Sequence, residues 1–399
     1  MATFHGIGVM SGTSLDGLDI CFAEFTGDIE TDVWSYRIEK AKTVPYTDQW
    51  RERLKTSMKV SGEQLIQLHV DYGHYIGRTV KAFVEEDEIK VDFIASHGHT
   101  VFHQPDKGFT FQLGDGETTA AYLISPYVTN FRSKDLALGG HGAPLAPSGE
   151  RYLFQQTDIC INLGGIANIG VRGSQGYDVC PCNIVFNRLA KLHNSELKYD
   201  KDGQIASMGV VQIDLLKKLD ELDFYKLESP KSLGMEWIIQ HIFPLLDDTV
   251  YTIHDLMRTF LQHVVNKITE ACAANSQPKE DDHNCRPTVL ITGGGAFNKY
   301  LMEILTSKLN EHGIVLQETD EETINYKEAL LFAFLGLRCL LGLENTCSGV
   351  TGSSRDSISG SIHQPVNPIA SCSPTLQDRF NHLMRQRSLS THIPPQFEN

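Results

Sequence analysis

Two glycine-turned hairpins constrain this chain more than any other feature. In residues 8–19, GVMSGTSLDGLD, a turn from Ser11 to Gly17 separates β-prone runs at 4–9 and 20–25. In residues 158–171, DICINLGGIANIGV, Gly164 and Gly165 separate another such pair. Glycine in these turns lets backbone N–H groups come close to an anion, and Thr13 and Ser14 add hydroxyl donors in the first. Asp16 and Asp19 would repel bare phosphate, so the first turn suits a Mg-nucleotide; the same residues also make an ordinary Gly/Ser turn. Two hairpins of one design, each opening a lobe, are what an internal duplication leaves, although no fixed repeat period is visible.

With 399 residues and 41% hydrophobic content, the chain can bury the cores of two lobes. Thirty-five basic residues against 50 acidic ones give a net charge of -15, which disfavours nucleic acid and anionic membrane as partners. The start, MATFHGIGVMSG, lacks a basic n-region, so no signal peptide is expected. The most apolar stretch, 329–343, is broken by Arg338 and falls short of the roughly 20 residues that span a bilayer. Nine scattered cysteines fit free thiols in a reducing cytoplasm. Cys180 and Cys182 lack a second pair at zinc-like spacing.

Along the chain, residues 62–86 carry apolar side chains at a helical period, and 91–95 read as a strand running into SHGHTVFHQP. His97, His99 and His103 are either a metal triad or, the blander reading, polar residues ending a strand at a cleft. Asp115 in QLGDG is placed to cap a helix over 117–124. Residues 130–147 are dense in Gly, Pro and isolated charges and read as a crossing between lobes. In it Arg132 is a candidate anion or sugar-hydroxyl ligand, or the partner of Asp135 or another carboxylate. Asp178, in GYDVCPCN, precedes a Pro-fixed turn and either projects into a cleft or sits on the surface. Helices are predicted over 184–193, 212–222, 253–274 and 327–341. A strand at 288–292 runs into Gly293, Gly294 and Gly295 and a helix from Asn298, the layout for close backbone approach to a nucleotide. Residues 366–399 are expected to be a largely disordered tail, with a short helix at 376–386 and basic Arg379, Arg385 and Arg387.

In order, GVMSGTSLDGLD, SHGHTVFHQP, QLGDG, FRSKD with GGHGAPLAP, INLGGIANI, DVCPCN, PKSLG, ITGGGAFN and KEALLFAFL resemble the motifs of the anhydro-N-acetylmuramic acid kinase family, from Gly6 to about Pro365. The resemblance implies an α/β protein of two-lobed actin-like ATPase fold, each lobe with a ribonuclease-H-like mixed sheet flanked by helices and ATP clamped between them. The expected lobes are 1–130 and 131–365, the last helix returning to the first lobe. The resemblance also implies a cytoplasmic enzyme of cell-wall amino-sugar recycling, a homodimer, that turns 1,6-anhydro-N-acetylmuramic acid, ATP and water into the sugar 6-phosphate and ADP.

By the same resemblance, Gly12, Thr13, Ser14, Leu15, Asp16, Gly17, Leu18 and Asp19 hold the phosphates. Gly164 and Gly165 form the second phosphate hairpin, and Gly293, Gly294, Gly295 and Asn298 approach the nucleoside. Asp178 falls on the general base, Arg132 and His97 on sugar-contacting positions, and Glu328 near substrate and metal, with Asp16 and Glu328 as the Mg²⁺ residues. Some positions depart from the family: DTGPGN is DVCPCN, PKSTGRE is PKSLGME, SHGQT is SHGHT, and usual Asp and Gln positions are Asn130 and His141. A glycine needed at positive φ would make Cys180 or Cys182 cost on the order of 1 kcal/mol or more. These departures keep two alternatives open, a levoglucosan or other anhydrosugar kinase and a catalytically weak ATP-dependent amino-sugar sensor.

Overall fold

Strand β1, Ala2–Ser11, buries Phe4, Ile7 and Val9 completely, as the centre of a sheet covered on both faces requires. It turns into β2, Gly17–Asp28, which pairs antiparallel with it, and β2 in turn pairs antiparallel with β3, Val33–Pro45. On its other side β1 lies parallel to β4, Phe93–Gln104, and β4 lies parallel to β6, Tyr127–Thr129. Strand β5, Phe109–Leu113, extends β4 as a hairpin, and Ser361–His363 closes the edge beyond β6. The computed structural model describes residues 1–12, 15–229, 231–247, 250–276 and 286–366. The expected tail, with its short helix at 376–386, lies outside the described residues apart from Val366.

Helix α1, Gly62–Glu86, covers this sheet. Ser61 starts it with a capping box, accepting from the Gln64 backbone while Gln64 bonds back to Ser61, and Leu68, Tyr72, Ile76, Val80 and Phe83 form its buried stripe. The last long helix, Glu321–Leu341, begins six residues before the predicted start because Asp320 accepts from the Thr323 backbone at 2.6 Å. It reaches β1 closely: a Cβ on Gly8 would lie 1.8 Å from the Ala329 carbonyl oxygen, so only glycine fits there.

The second sheet repeats the first. Strands β7, Ile159–Leu163, β8, Ile166–Val171, and β9, Gln175–Pro181, form an antiparallel meander. Strands β10, Thr288–Thr292, and β11, Val315–Leu316, continue parallel from β7. In each sheet the order is therefore third, second, first, then the parallel strands, the ribonuclease-H-like arrangement expected of both lobes. Helix α2, Asn183–His193, follows β9. Helix α3, Ile253–Asn275, runs through the apolar core of this half.

The chain divides into two compact units, Met1–Leu145 with the segment from Glu328, and Ala146–Lys327. The division after Leu145 lies within the stretch 130–147 read as a crossing between lobes. Most of that stretch is tied into the first unit, where Asp135, fully buried, accepts from Gly142 N–H at 2.7 Å and from Thr351 Oγ1 at 2.7 Å. Among the described residues, no helix is long and apolar enough to cross a membrane.

Candidate active site

In the first unit, the turn between β1 and β2 begins at Gly12; Thr13 and Ser14 lie outside the described residues. Leu15 has φ 59, and its N–H donates to the Gly12 carbonyl at 3.4 Å. A non-glycine residue in that region is uncommon and clusters at ligand-holding turns. Asp16 is exposed, Gly17 and Leu18 are buried at the start of β2, and Asp19 is half-buried. Burial pushes the Asp19 carboxyl up to about 6, against a 2.6 Å hydrogen bond from Thr43, and the Glu328 and Asp16 carboxylates add to the rise. Asp16, Asp19 and Glu328 therefore share one neighbourhood of excess negative charge.

That donor set suits a divalent cation taking its remaining ligands from phosphate and water. Among the described residues, no group of three or more His, Cys, Asp or Glu side chains could hold a metal alone. The readings of His97, His99 and His103 as a metal triad and of Cys180 with Cys182 as a zinc pair are thereby set aside.

The histidines instead hold the strand ends. Ser11 Oγ lies 3.0 Å from His99 Nδ1 and accepts from the Tyr46 hydroxyl at 2.8 Å, and Tyr46 meets Tyr72 at 2.6 Å. Burial lowers His99 to about 4, so its ring is neutral in the fold, and the tautomer decides which of Nδ1 and the Ser11 hydroxyl donates. His97 Nδ1 faces the Gly98 carbonyl at 3.0 Å, and its Nε2 accepts from Arg132 Nε at 2.9 Å. Burial, then the Arg132 charge, holds His97 well below the ordinary imidazole value. Arg132 also donates through Nη1 to the Gly142 carbonyl at 2.6 Å, so its side-chain hydrogen bonds go to His97 and Gly142 rather than Asp135, while the Glu328 carboxylate acts on its charge. A cavity of about 260 Å³ opens beside these residues, lined by Ser96, His97, Gln112, Tyr127, Asn130 and Ser133. Asn130 has φ 59, a conformation that asparagine tolerates well.

In the second unit, the carboxyl ends of β7 and β10 meet the start of α2. The N–H groups of Cys182 and Ile184 donate to the Gly165 carbonyl at 2.9 and 3.2 Å, and Asn183 N–H donates to Gly164 at 3.1 Å. Asn183 Nδ2 also donates to the Leu163 carbonyl at 2.8 Å. Gly293, at φ 84, lies so near that a Cβ would stand 2.2 Å from Asn162 Oδ1, and one on Gly295 would stand 2.7 Å from Leu163 Cβ. Both glycine segments thus lie at one edge, and Gly294 faces Asn183. Asn298, expected near the nucleoside, caps helix Lys299–Glu311 by accepting from Leu301 N–H at 3.0 Å.

Asp178 lies on β9 opposite Asn168. Its N–H donates to the Lys231 carbonyl at 3.0 Å, and its Oδ2 accepts from Leu233 N–H at 2.8 Å. No basic side chain among the described residues forms an ion pair with it. Burial raises its carboxyl above the ordinary value, opposed by the Leu233 hydrogen bond. The departures around it are absorbed locally. Cys182 has φ -137 and Cys180 lies within β9, so neither occupies the left-handed region. Leu233 stands where the family has Thr, and the backbone contact it makes does not depend on that side chain.

Sequence reasoning missed Ser11, Asn162 and Asn183. The signal for Asn183 was its place in DVCPCN, immediately before the α2 period; Ser11 and Asn162 became legible only once β1 met β4 and β7 met β10.

Residues 5–365 match the sequence profile of a family described as "Anhydro-N-acetylmuramic acid kinase". The chain belongs to this family. An anhydro-N-acetylmuramic acid kinase of Vibrio vulnificus (strain CMCP6) is 32% identical over 369 residues, 88% of this chain and 95% of that one. Another, of Francisella tularensis subsp. novicida (strain U112), is 30% identical over 394 residues, 90% of this chain and 98% of the relative. Among solved structures, ligand-bound xylulose kinase from Lactobacillus acidophilus covers 96% of this chain and 98% of its own, at a TM-score of 0.42 and 11% identity.

Proposed function

We propose that this member of the anhydro-N-acetylmuramic acid kinase family opens 1,6-anhydro-N-acetylmuramic acid with water and phosphorylates the freed oxygen from ATP, giving N-acetylmuramic acid 6-phosphate and ADP. The observation that carries the reading is Asp178, a half-buried carboxylate of raised basicity, fixed by two backbone bonds and without an ion-pair partner among the described residues. Such a group is suited to take a proton near neutrality.

Asp178 removes a proton from water as its oxygen bonds to the anomeric carbon. The bond from that carbon to the bridging oxygen breaks, and its electron pair stays on that oxygen. Transfer of the γ-phosphoryl group to this oxygen caps the charge, so no separate acid is required, and ADP leaves. Gly12 to Asp19 in the first unit and Gly164 with Gly165 in the second are the proposed phosphate contacts; Gly293, Gly294 and Gly295, with Asn298 capping the next helix, are the proposed nucleoside side. Arg132 and His97 are proposed to bind the sugar, their mutual hydrogen bond holding both in place. Asp16 and Glu328 would hold Mg²⁺, which supplies neutralisation of developing phosphate charge.

A coupled ADP-release assay across 1,6-anhydro-N-acetylmuramic acid, levoglucosan and N-acetylmuramic acid tests this. Turnover should be fastest with the first and absent with the third. Preference for levoglucosan would move the assignment to another anhydrosugar, and no turnover with any would leave a sensor.

A further inference from the structure

The segment that clamps Asp178 is itself anchored by groups the reaction does not use. Lys231, whose carbonyl accepts from Asp178 N–H, forms no ion pair with a carboxylate among the described residues and bonds through its ammonium to backbone carbonyls instead. Its Nζ donates to the carbonyls of Phe224 at 3.3 Å and Leu227 at 3.1 Å, and lies 4.9 Å from the Phe224 ring centroid and 5.9 Å from that of Tyr177. These carbonyls belong to the short turn Asp223–Lys226 and the residue after it.

That turn is fixed from below. The Tyr225 hydroxyl meets His263 Nε2 at 2.8 Å, and His263 Nδ1 meets Asp220 Oδ1 at 2.5 Å. Since a carboxylate only accepts, Nδ1 carries the proton and Nε2 accepts from the tyrosine. Asn266 Nδ2 donates to the second Asp220 oxygen at 3.0 Å, and the rings of Phe224 and Trp237 lie 5.5 Å apart. This hydrogen-bonded and aromatic platform holds Lys231, which stands two residues before Leu233, the donor to Asp178.

We propose that Lys231 is a positioning residue for the Asp178 base, its ammonium pinned to the Phe224 and Leu227 carbonyls so that the backbone from Lys231 to Leu233 holds the carboxylate without the lysine neutralising it. The arrangement does two things. A lysine turned onto Asp178 would form an ion pair and weaken the base; turned onto carbonyls and aromatic faces, it fixes the backbone instead. The inference rests on the reading of Asp178 as the base.

The test is steady-state kinetics of the full chain with Mg-ATP and 1,6-anhydro-N-acetylmuramic acid. Lys231→Met keeps the stem and removes the donors, so kcat should fall about tenfold or more while the KM for ATP stays within about twofold. Lys231→Arg, which keeps charge and N–H donors, should recover most of the loss. A purely structural role would instead lower the melting temperature and leave the kcat of folded enzyme unchanged. Should Lys231→Met not fold, Lys231→Gln, which still reaches one carbonyl, carries the same test with a smaller loss. Wild-type kcat in folded Lys231→Met, beside an inactive Asp178→Asn control, would overturn the positioning role alone. An Asp178→Asn enzyme as active as wild type would overturn the base reading, and this proposal with it.

Discussion

Leu233 donates its backbone N–H to Asp178 Oδ2 at 2.8 Å, although 55 positions separate the two residues. The bond orients one carboxylate oxygen, and in the proposed reaction the other takes the proton from water. Asp178→Asn keeps the size and an acceptor for Leu233 but removes the basic oxygen. Turnover should drop by about 10²-fold or more, with ATP affinity by calorimetric titration nearly unchanged.

The acid limb of the rate profile follows from the same site. Burial raises the Asp178 carboxyl, so as the proposed base it should become protonated, and inactive, at a higher pH than an ordinary carboxylate would. In a pH series of kcat/KM, which reports the free enzyme, activity should be lost on acidification above the usual range near ~4. An acid limb below that value would mean that Asp178 is better solvated than its burial implies.

Gly12 begins the turn where backbone should meet phosphate. Gly12→Val puts a branched side chain there, so ATP binding should weaken by about tenfold or more while circular dichroism shows an intact fold. Unaltered ATP affinity in calorimetry would exclude this turn from the nucleotide site.

His99 supports the same turn from beneath through Ser11. Its imidazole is lowered by burial to about 4 in the folded chain, against about 6.5 when unfolded. Between those values the unfolded state binds more protons, so this group's contribution to stability is full above about 6.5 and is lost as pH falls toward about 4. His99→Gln keeps a hydrogen-bonding group, donor and acceptor both, for Ser11 and does not titrate. In denaturant melts it should match wild type at neutral pH and lose less stability on acidification, by on the order of 1–3 kcal/mol at most. His99→Leu, which removes the His99 partner of Ser11, should cost about 1–3 kcal/mol at neutral pH.

What the sequence disclosed was mostly local. The hairpin turns at Gly12 and at Gly164 with Gly165, and helix Gly62–Glu86 behind Ser61, were legible because turn chemistry and capping act within a few residues. The apolar pattern of strand β4 ends near Ala95, but the strand runs to Gln104, because pairing with β1 and β5 holds its polar half, His97 and His99 included, in the sheet. No local pattern encodes that pairing. The site shows the same division. Asp178 could be named from its motif, whereas the Leu233 donor and the Lys231 anchor depend on a loop that returns from far along the chain.

The most direct test of the account is where solvent oxygen goes. The enzyme is run in ¹⁸O-water with 1,6-anhydro-N-acetylmuramic acid and Mg-ATP, and the product is trapped early, before the reducing sugar exchanges its anomeric oxygen. If Asp178 activates water toward the anomeric carbon, the label appears at carbon 1 and is missing from the phosphoryl oxygens and ADP. Label in the phosphoryl group, with carbon 1 unlabelled at early times, would show water attacking phosphorus and would contradict the role assigned to Asp178.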